Sequence, residues 1–388
     1  MLILNRHAGH RAALDPADAV MLGDAAVEAA ARFFLAREDY RPTPIRALPA
    51  LAAALGVGEV QVKDEGQRLG LGSFKALGGG HAVARLVLDR ASREIGRPLD
   101  FADLSDPEVR AVAARMTFVC ATAGNHGRSV AHGAQRIGAR AVIFVPEGVA
   151  EARIAALARL DAEIVLGEGG YDDCVVQAAE AAAENGWTVV SDTAWPGYER
   201  IPGLIMQGYS LIVREALEAL VEPPTHVFVQ IGVGGLAGAL AARLALIFGE
   251  RRPILVSVEP ERAACMLESA QLGEATRIAP QPATVMSMLA CEQPSLSAWR
   301  ILSRAADAFM TVSDDDAVAA VRRLAQPLGV DPPMVASESG GAGLAGLMQA
   351  AADPETRAVI GLSPASRVFI IGSETANDPA RWREITGP

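Results

Sequence analysis

Lysine is almost absent from this sequence. Of its 35 basic residues only Lys63 and Lys75 are lysines, and all the others are arginines. Arginine stays protonated in proteins, whereas a desolvated lysine can lose its proton and act as an amine nucleophile or form a Schiff base. A bias toward arginine codons explains the arginines but not the two lysines that remain. Lys75 lies among glycines and apolar residues in GLGSFKALGGG (70–80), which makes it the first candidate for amine chemistry.

Positive net charge and long apolar runs are also missing. The net charge of −11 argues against a general binder of nucleic acids or anionic membranes. The longest apolar run, residues 231–242, is too short to span a bilayer. The first residues lack the charged-then-apolar pattern of a signal peptide. These features predict a cytoplasmic protein that binds neither nucleic acid nor membrane.

Cysteine is scarce as well. The four cysteines show no metal-type spacing, so the sequence predicts buried thiols and no metal site. Cys265 and Cys291 can pair if they meet in space, and the sequence alone leaves that open.

Strand-like apolar runs alternate with alanine-rich helical runs. Most of these runs lack strict polar alternation, as expected of strands buried on both faces of a parallel sheet. The pattern predicts an α/β fold with mostly parallel sheets flanked by helices. Predicted strands cover 59–64, 116–122, 140–146, 162–167, 187–193, 226–232, 253–260, 308–313 and 367–374. Predicted helices include 128–138, 151–159, 172–185, 203–220 and 235–248.

Ligands of such sheets bind in the loops after the strands, and two of these loops carry polar groups. In ATAGNHGRSVAHGA (121–134), Asn125 lies in a predicted tight turn that opens a helix near Gly127. An asparagine there can hydrogen-bond a planar ligand, although an ordinary turn also accommodates asparagine. In VFIIGSETAND (368–378), Ser373 follows a buried strand, where a hydroxyl can face a heteroaromatic nitrogen or simply end the strand.

A third loop is rich in glycine. QIGVGGLAGALAARLA (230–245) runs from a strand through Gly232, Gly234 and Gly235 into a helix, a geometry in which backbone amides cradle an anion. It contains no lysine for a nucleoside triphosphate and lacks the acidic residue of a dinucleotide site. A phosphate monoester fits it better. An amine, a polar ring contact, a phosphate cradle and a hydroxyl together suggest pyridoxal 5'-phosphate.

The order of these motifs resembles the fold-type-II pyridoxal-phosphate enzymes, the tryptophan synthase β family. SFKALGG, AGNHGR, a glycine loop after a strand and a C-terminal serine follow one another over roughly residues 40–378. The resemblance implies two domains with the cofactor in the cleft between them. We predict a large pyridoxal-phosphate-binding domain from 1–84 and 190–388, and a small domain from 85–189. It also implies a homodimer.

Longer stretches resemble the diaminopropionate ammonia-lyases within this group. They cover residues 170–212, 258–266 and 283–294, and the block from Tyr171 to Tyr209 is the most diagnostic. The resemblance implies that Lys75 holds the cofactor covalently and takes part in proton transfer, and that Asp192 is the acid–base carboxylate for the L-substrate. Asn125 would contact the ring hydroxyl and Ser373 the pyridine nitrogen. The phosphate would be bound by Gly232, Val233, Gly234, Gly235 and Leu236.

Two departures from the family pattern bear on the substrate. The residue before Gly-Asn-His-Gly is usually an aspartate that serves the D-isomer, and here it is Ala123. The usual Glu-Gly-Asp-Thr-Asp near the C-terminus is here ETAND (374–378). The expected activity is a catabolic α,β-elimination that converts 2,3-diaminopropionate, preferably the L-isomer, to pyruvate and ammonia. The alternatives are a dehydratase or lyase of serine, threonine or another β-substituted alanine, and a non-catalytic ligand-binding homologue.

Lys63 receives a different prediction. At the end of a strand it is expected to pair near Asp64 or Glu65, so Lys63→Arg is expected to be nearly silent.

Overall fold

A computed structural model describes residues 1–122, 124–149 and 151–387 of the chain. Over these residues the chain forms eleven strands and sixteen α-helices. The strands are β1 (Leu2–Leu4), β2 (Ile45–Ala47), β3 (Glu59–Asp64), β4 (Thr117–Ala121), β5 (Arg140–Val145), β6 (Glu163–Leu166), β7 (Thr188–Val189), β8 (His226–Gln230), β9 (Ile254–Pro260), β10 (Ala308–Val312) and β11 (Arg367–Gly372). The helices are α1 (Pro16–Met21), α2 (Asp24–Leu35), α3 (Pro49–Leu55), α4 (Lys75–Ile95), α5 (Pro107–Ala113), α6 (Asn125–Ile137), α7 (Glu151–Ala158), α8 (Tyr171–Asn185), α9 (Arg200–Ala219), α10 (Gly235–Phe248), α11 (Cys265–Leu272), α12 (Leu296–Ala305), α13 (Asp314–Ala325), α14 (Glu338–Ala352), α15 (Pro354–Val359) and α16 (Pro379–Thr386).

Two compact units divide the described chain. Residues 1–23, 41–74 and those from 212 onward form the seven-stranded unit, and residues 24–40 and 75–211 form the four-stranded unit. The predicted division differs from these units: it assigns 24–40, 75–84 and 190–211 to the large domain. Those segments have few strand residues of their own, so composition gave no sign of the side on which they pack.

The seven-stranded unit is built on a mostly parallel sheet with strand order β1-β10-β9-β8-β11-β3-β2. Only the edge strands β1 and β2 pair antiparallel with their neighbours. The inner strands are buried on both faces, as β8 shows with all five of its residues inaccessible. Phe228, Val256, Met310 and Ile370 lie in its core, together with Leu344 of α14. Burial on both faces explains why these strands read as continuous apolar runs.

The four-stranded unit has a wholly parallel sheet with strand order β6-β5-β4-β7. Val119, Val142 and Phe144 pack there against Cys174 and Ala178 of α8. Helix α6 ends at Ile137 and is followed by the C-cap residue Gly138, whose φ of +82° is a conformation that a side chain disfavours.

Glycines let the helices of the four-stranded unit cross closely. A Cβ at Gly133 of α6 would lie 2.7 Å from Gly80 Cα of α4, and a Cβ at Gly79 would lie 2.6 Å from Ser129 Oγ. A Cβ at Gly78 would lie 2.6 Å from the Tyr209 ring of α9. The three glycines that follow Lys75 therefore bring other helices against the start of α4.

The predicted α/β fold class is confirmed, and every predicted strand has a counterpart. The two edge strands β1 and β2 were not predicted, and β7 has two residues where seven were expected. None of the helices in the described ranges combines the length and apolar character needed to cross a membrane.

Candidate active site

Lys75 is the first residue of α4, and its Nζ donates a hydrogen bond to Asp192 Oδ2 in the same unit. The side chains are 24% and 16% exposed, so the ion pair lies at the edge of the interior rather than deep within it. A helix start is the positive end of the helix dipole and does not favour a cation. The carboxylate of Asp192 therefore compensates the ammonium of Lys75.

Asp192 is held in its ionised form by neighbouring groups. Burial raises the pKa of Asp192, but the charge of Lys75, followed by His126 and the hydrogen bond from Lys75, outweighs burial and places the pKa well below its ordinary value. The low pKa of Asp192 therefore depends on the positive charge of Lys75 beside it.

The segment before Asp192 is fixed by Tyr198. The Tyr198 hydroxyl accepts a hydrogen bond from Ser191 N at 3.0 Å and donates one to Val189 O at 2.8 Å. The ring of Trp195 stacks on the ring of Tyr198 with centroids 4.0 Å apart and planes 8° apart. These contacts fold the loop after β7 back on itself. They give a physical reason for the aromatic residues in the diagnostic block of the sequence.

Asn125 and His126 occupy the first turn of α6, which begins at Asn125 and is preceded by the N-cap residue Gly124. The predicted helix start near Gly127 was therefore late, because the turn glycines hid the first helical residues. Both side chains are buried, and Asn125 Oδ1 lies 3.5 Å from an Arg128 guanidinium nitrogen. Ala123, on which the prediction about the D-isomer depends, lies outside the described residues.

His126 faces Asp192. Its Nε2 is 2.8 Å from Val190 O, and since a carbonyl only accepts, Nε2 carries the hydrogen. Its Nδ1 lies 4.0 Å from Asp192 Oδ2 and is buried without a hydrogen-bond partner among the described residues. Burial lowers the pKa of His126, which leaves the neutral ring with an unprotonated nitrogen beside the carboxylate.

The glycine loop lies between β8 and α10 in the seven-stranded unit. Gly234 is the N-cap of α10 with a φ of +103°, and as a glycine it has no side chain that could cap the helix start. A Cβ at Gly232 would lie 3.2 Å from Cys291 Sγ, and one at Gly234 would lie 2.8 Å from both Met266 Cε and Ala298 Cβ. The loop therefore needs glycine for packing as well as for backbone shape, and its N-cap residue leaves the first amides of α10 without a side-chain cap of its own.

Ser373 follows β11, the strand that pairs with β8, so it lies at the same sheet edge as the glycine loop. Its Oγ is 2.7 Å from Gln230 Nε2. In the divergent ETAND segment, Glu374 forms a backbone bridge with Ser73, and its Oε1 accepts a hydrogen bond from Ser337 Oγ at 2.5 Å. Asp378 caps the start of α16. The segment is thus tied into the fold despite its departure from the family pattern.

Three residues of these regions were missed by the sequence reasoning. His126 was seen only as part of a turn, Tyr198 only as part of a diagnostic block, and Gln230 was not considered. Each acts through contacts with residues distant in sequence or through a loop shape that no local pattern encodes. The adjacency of His126 to Asn125 was the one available signal.

The arrangement in each unit fits a phosphorylated, ring-bearing cofactor that bonds to an amine. The four-stranded unit supplies the amine of Lys75 beside a carboxylate, together with a histidine nitrogen that has no hydrogen-bond partner among the residues described. The seven-stranded unit supplies a glycine-built helix start and a buried hydroxyl. A phosphate suits uncapped amides at a helix N-terminus. The fold and these residues define a fold-type-II α/β enzyme class.

Comparison with known protein families agrees with this assignment. Residues 36–363 match the model of the pyridoxal-phosphate-dependent enzymes, so the chain belongs to that family and its cofactor is pyridoxal 5'-phosphate. The chain is 38% identical over 352 residues to the diaminopropionate ammonia-lyase of Escherichia coli K12, covering 89% of this chain and 87% of the relative. It is 35% identical over 357 residues to that of Salmonella typhimurium LT2, covering 89% and 88%.

A solved structure supports the same relationship. The Escherichia coli diaminopropionate ammonia lyase, in complex with an aminoacrylate–PLP azomethine reaction intermediate, superposes with a TM-score of 0.88 at 35% identity. The match covers all of this chain and 96% of that one.

Proposed function

We propose that this protein is an ammonia-lyase that converts 2,3-diaminopropionate and water to pyruvate and ammonia by α,β-elimination. The observation that carries the proposal is the Lys75–Asp192 ion pair with His126 beside it, in a chain with only one other lysine. The relatives at 35–38% identity carry this activity in their names, and the similarity extends over most of the chain.

The elimination breaks a Cα–H bond and then the bond from Cβ to its amine, and water releases the second nitrogen as ammonia. When bound, pyridoxal 5'-phosphate supplies an electron sink for the carbanion next to the amino group. The amine of Lys75 would attach the cofactor. The amides of residues 232–236 would bind its phosphate, Asn125 would contact the ring hydroxyl, and Ser373 would face the ring nitrogen.

Asp192 holds the proton that moves between the substrate Cα and the leaving amine. Neutralising Lys75 removes the charge that keeps the pKa of Asp192 low, and burial then raises that pKa. A carboxylate with a raised pKa can accept a proton and return it to a leaving amine. His126 lies beside the same carboxylate oxygen, with its Nδ1 4.0 Å from Oδ2.

The proposed preference is for the L-isomer. Proton removal from the two enantiomers needs groups on opposite faces of a planar intermediate, or one substrate must bind turned over. Asp192 supplies one such group, whereas the residue that serves the D-isomer in the related enzymes is here Ala123. The proposal therefore assigns slow turnover to D-2,3-diaminopropionate.

Asp192→Asn tests the proposal. We expect kcat for L-2,3-diaminopropionate to fall by about two to four powers of ten, the usual loss for a general acid–base, while cofactor binding stays intact. Initial rates of pyruvate formation measure this, and the bound cofactor is followed by its visible absorbance. Asp89→Asn is the matched control, because Asp89 is also ion-paired, with Arg85 and Arg200, within the same unit.

Both enantiomers, serine and threonine belong in the same assay. Ala123→Asp should raise the rate with the D-isomer. An Asp192→Asn enzyme as fast as the unmodified one on the L-isomer would remove Asp192 from the mechanism. Faster turnover of serine or threonine than of diaminopropionate would replace the proposed activity with a dehydratase.

Assembly and location complete the proposal. We propose a homodimer in the cytoplasm that takes a small amino acid as its substrate. Light scattering of the purified holoenzyme measures the assembly, and a monomer at working concentration would contradict it.

A further inference from the structure

Gln230 is the last residue of β8 and is 97% inaccessible, with 3% of its surface exposed. Three oxygen atoms surround its amide nitrogen. Nε2 lies 2.9 Å from Ile371 O, 3.0 Å from Gly340 O and 2.7 Å from Ser373 Oγ. All of these residues belong to the seven-stranded unit. A buried amide placed among three acceptors is a specific arrangement rather than a filler of space.

The two carbonyls fix which way the amide points. Carbonyl oxygens only accept hydrogen bonds, so the donor end of the Gln230 amide must face Ile371 O and Gly340 O. Turning the amide over would set its own oxygen against two carbonyl oxygens. The orientation thus follows from the surrounding backbone and not from the assignment of atoms alone.

The oxygen of the same amide is unsatisfied within the described chain, which lowers the stability of the folded protein. Gln230 Oε1 is buried without a hydrogen-bond partner among the described residues, and a Cβ at Gly343 of α14 would lie 2.9 Å from it. An unsatisfied buried acceptor costs about 1–3 kcal/mol. The orientation that leaves this oxygen unsatisfied is the one that directs the amide hydrogens toward the three acceptors, Ser373 Oγ among them.

The Gln230 amide determines whether the Ser373 hydroxyl accepts or donates a hydrogen bond in their contact. The amide nitrogen has two hydrogens for its three acceptors, so one hydrogen is shared between two of them. The nitrogen has no lone pair to offer, so in the 2.7 Å contact the Ser373 oxygen is the acceptor. The hydroxyl hydrogen then points away from Gln230. Among the described residues Ser373 Oγ has Gln230 as its one side-chain partner, so that hydrogen remains for a ligand.

We propose that Gln230 is a positioning residue that makes the Ser373 hydroxyl a donor toward the cofactor's pyridine nitrogen and thereby keeps that nitrogen unprotonated. This inference rests on the proposed role of Ser373. A protonated ring nitrogen would present a second donor to Ser373 Oγ and leave the hydroxyl hydrogen without an acceptor. An unprotonated nitrogen satisfies the hydroxyl, and it tempers the electron sink in the manner that favours elimination over transamination.

The test follows the ring nitrogen directly. The holoenzyme is loaded with pyridoxal 5'-phosphate labelled with ¹⁵N in the pyridine ring, and the ¹⁵N chemical shift is recorded against pH. Gln230→Met removes the donor with little change in shape, and Ser373→Ala removes the hydroxyl. Gln349→Met is the matched control, because Gln349 belongs to the same unit and also has a buried amide oxygen with no hydrogen-bond partner in the described chain.

We expect the unmodified enzyme and Gln349→Met to keep the nitrogen unprotonated over the range in which the protein stays folded. In Gln230→Met and in Ser373→Ala, the pKa of the pyridine nitrogen should be higher than in the unmodified enzyme by about one unit or more. Gln230→Asn, whose shorter amide cannot reach Ser373 and both carbonyls, should behave as Gln230→Met does and serves if the methionine variant does not fold.

The outcomes distinguish the inferred role of Gln230 from the proposed role of Ser373, on which it rests. If Ser373→Ala shifts the titration and neither Gln230 variant does, Gln230 has no positioning role while that of Ser373 stands. If none of the variants shifts it, Ser373 does not face the nitrogen and both ideas fall.

Discussion

The two lysines of this chain lie in opposite surroundings. Lys75 contacts the carboxylate of Asp192 at a site that is partly open, with 24% of its side chain exposed. Lys63 has 1% of its side chain exposed, and its Nζ lies 2.5 Å from Glu215 Oε2 and 2.6 Å from Thr43 O. One ammonium is accessible to a reactant, and the other is enclosed.

A closed network surrounds Lys63. Arg68 donates to both oxygens of Glu215, at 2.7 and 2.8 Å, and to both oxygens of Glu65, also at 2.7 and 2.8 Å. Thr43 Oγ1 donates to Glu65 Oε1 at 2.6 Å. The two cations and two carboxylates balance, so the buried cluster is neutral. The comparison suggests two reasons to keep a lysine among arginines: the proposed attachment of the cofactor at Lys75, and a compact ammonium for a tight buried site at Lys63.

The largest contrast between the lysines should appear in turnover. Lys75→Arg keeps the positive charge beside Asp192, but a guanidinium cannot form the covalent attachment to the cofactor. We expect turnover to be abolished and the visible absorbance of the attached cofactor to be lost, with the thermal midpoint of the apoprotein little changed. Pyruvate formation and mass analysis of the borohydride-reduced protein measure these effects. Substantial turnover by Lys75→Arg would disprove the assignment of Lys75.

The next effect is on stability. Lys63→Met leaves the buried cluster with one uncompensated carboxylate, and breaking a buried ion pair in this way costs about 3–5 kcal/mol. Lys63→Arg keeps the charge but adds volume where Nζ already touches two acceptors, at a cost of about 1–3 kcal/mol. Urea unfolding of the holoenzyme measures both, while kcat per folded molecule should stay near that of the unmodified enzyme.

Arg46→Met is the matched control for this pair of variants. Arg46 lies 3.7 Å from Asp64 with 36% of its side chain exposed, so its loss should cost at most about 1 kcal/mol. A Lys63→Met enzyme as stable as Arg46→Met would show that the network around Lys63 contributes little.

The sequence predicted more of the fold than of the contacts that surround Lys63 and Lys75. Parallel strands buried on both faces have a periodicity that one sequence reveals, and the strands at the sheet centres were found nearly to the residue, as with β3. Short edge strands such as β2 have three residues and no such pattern. The contact between Lys75 and Asp192 joins residues 117 apart, and the sequence did not predict it; the family resemblance only assigned both residues to one active site.

The prediction for Lys63 was wrong. It was expected to pair near Asp64 or Glu65, but its Nζ contacts Glu215, 152 residues away, while Asp64 faces Arg46. A charged residue at a strand end ordinarily reaches solvent, and the sequence holds no sign that α9 would bring a carboxylate over this one. The expectation that Lys63→Arg is nearly silent is therefore replaced by the destabilisation described above.

The smallest effect concerns pH. Lys63→Met should be less stable than the unmodified enzyme, and the difference in their free energies of unfolding should depend on pH. Burial raises the pKa of Glu215, but the hydrogen bond and charge of Arg68, followed by Lys63, outweigh burial and lower the pKa below its ordinary value of 4.5. In the unmodified enzyme Glu215 therefore adds stability above pH 4.5 that is lost as the pH falls through its folded pKa.

Removing Lys63 takes away one of the charges that oppose burial, so the pKa of Glu215 should move upward. The folded variant then binds a proton more readily than the unmodified protein does, and it loses less stability on acidification. The deficit between the two should narrow as the pH falls from about 7 to about 4.5, by at most about 1.4 kcal/mol per pH unit where Glu215 titrates. Urea unfolding of both proteins at these two pH values measures the change. A deficit that stays constant, or that grows in acid, would show that Lys63 does not act through the charge of Glu215.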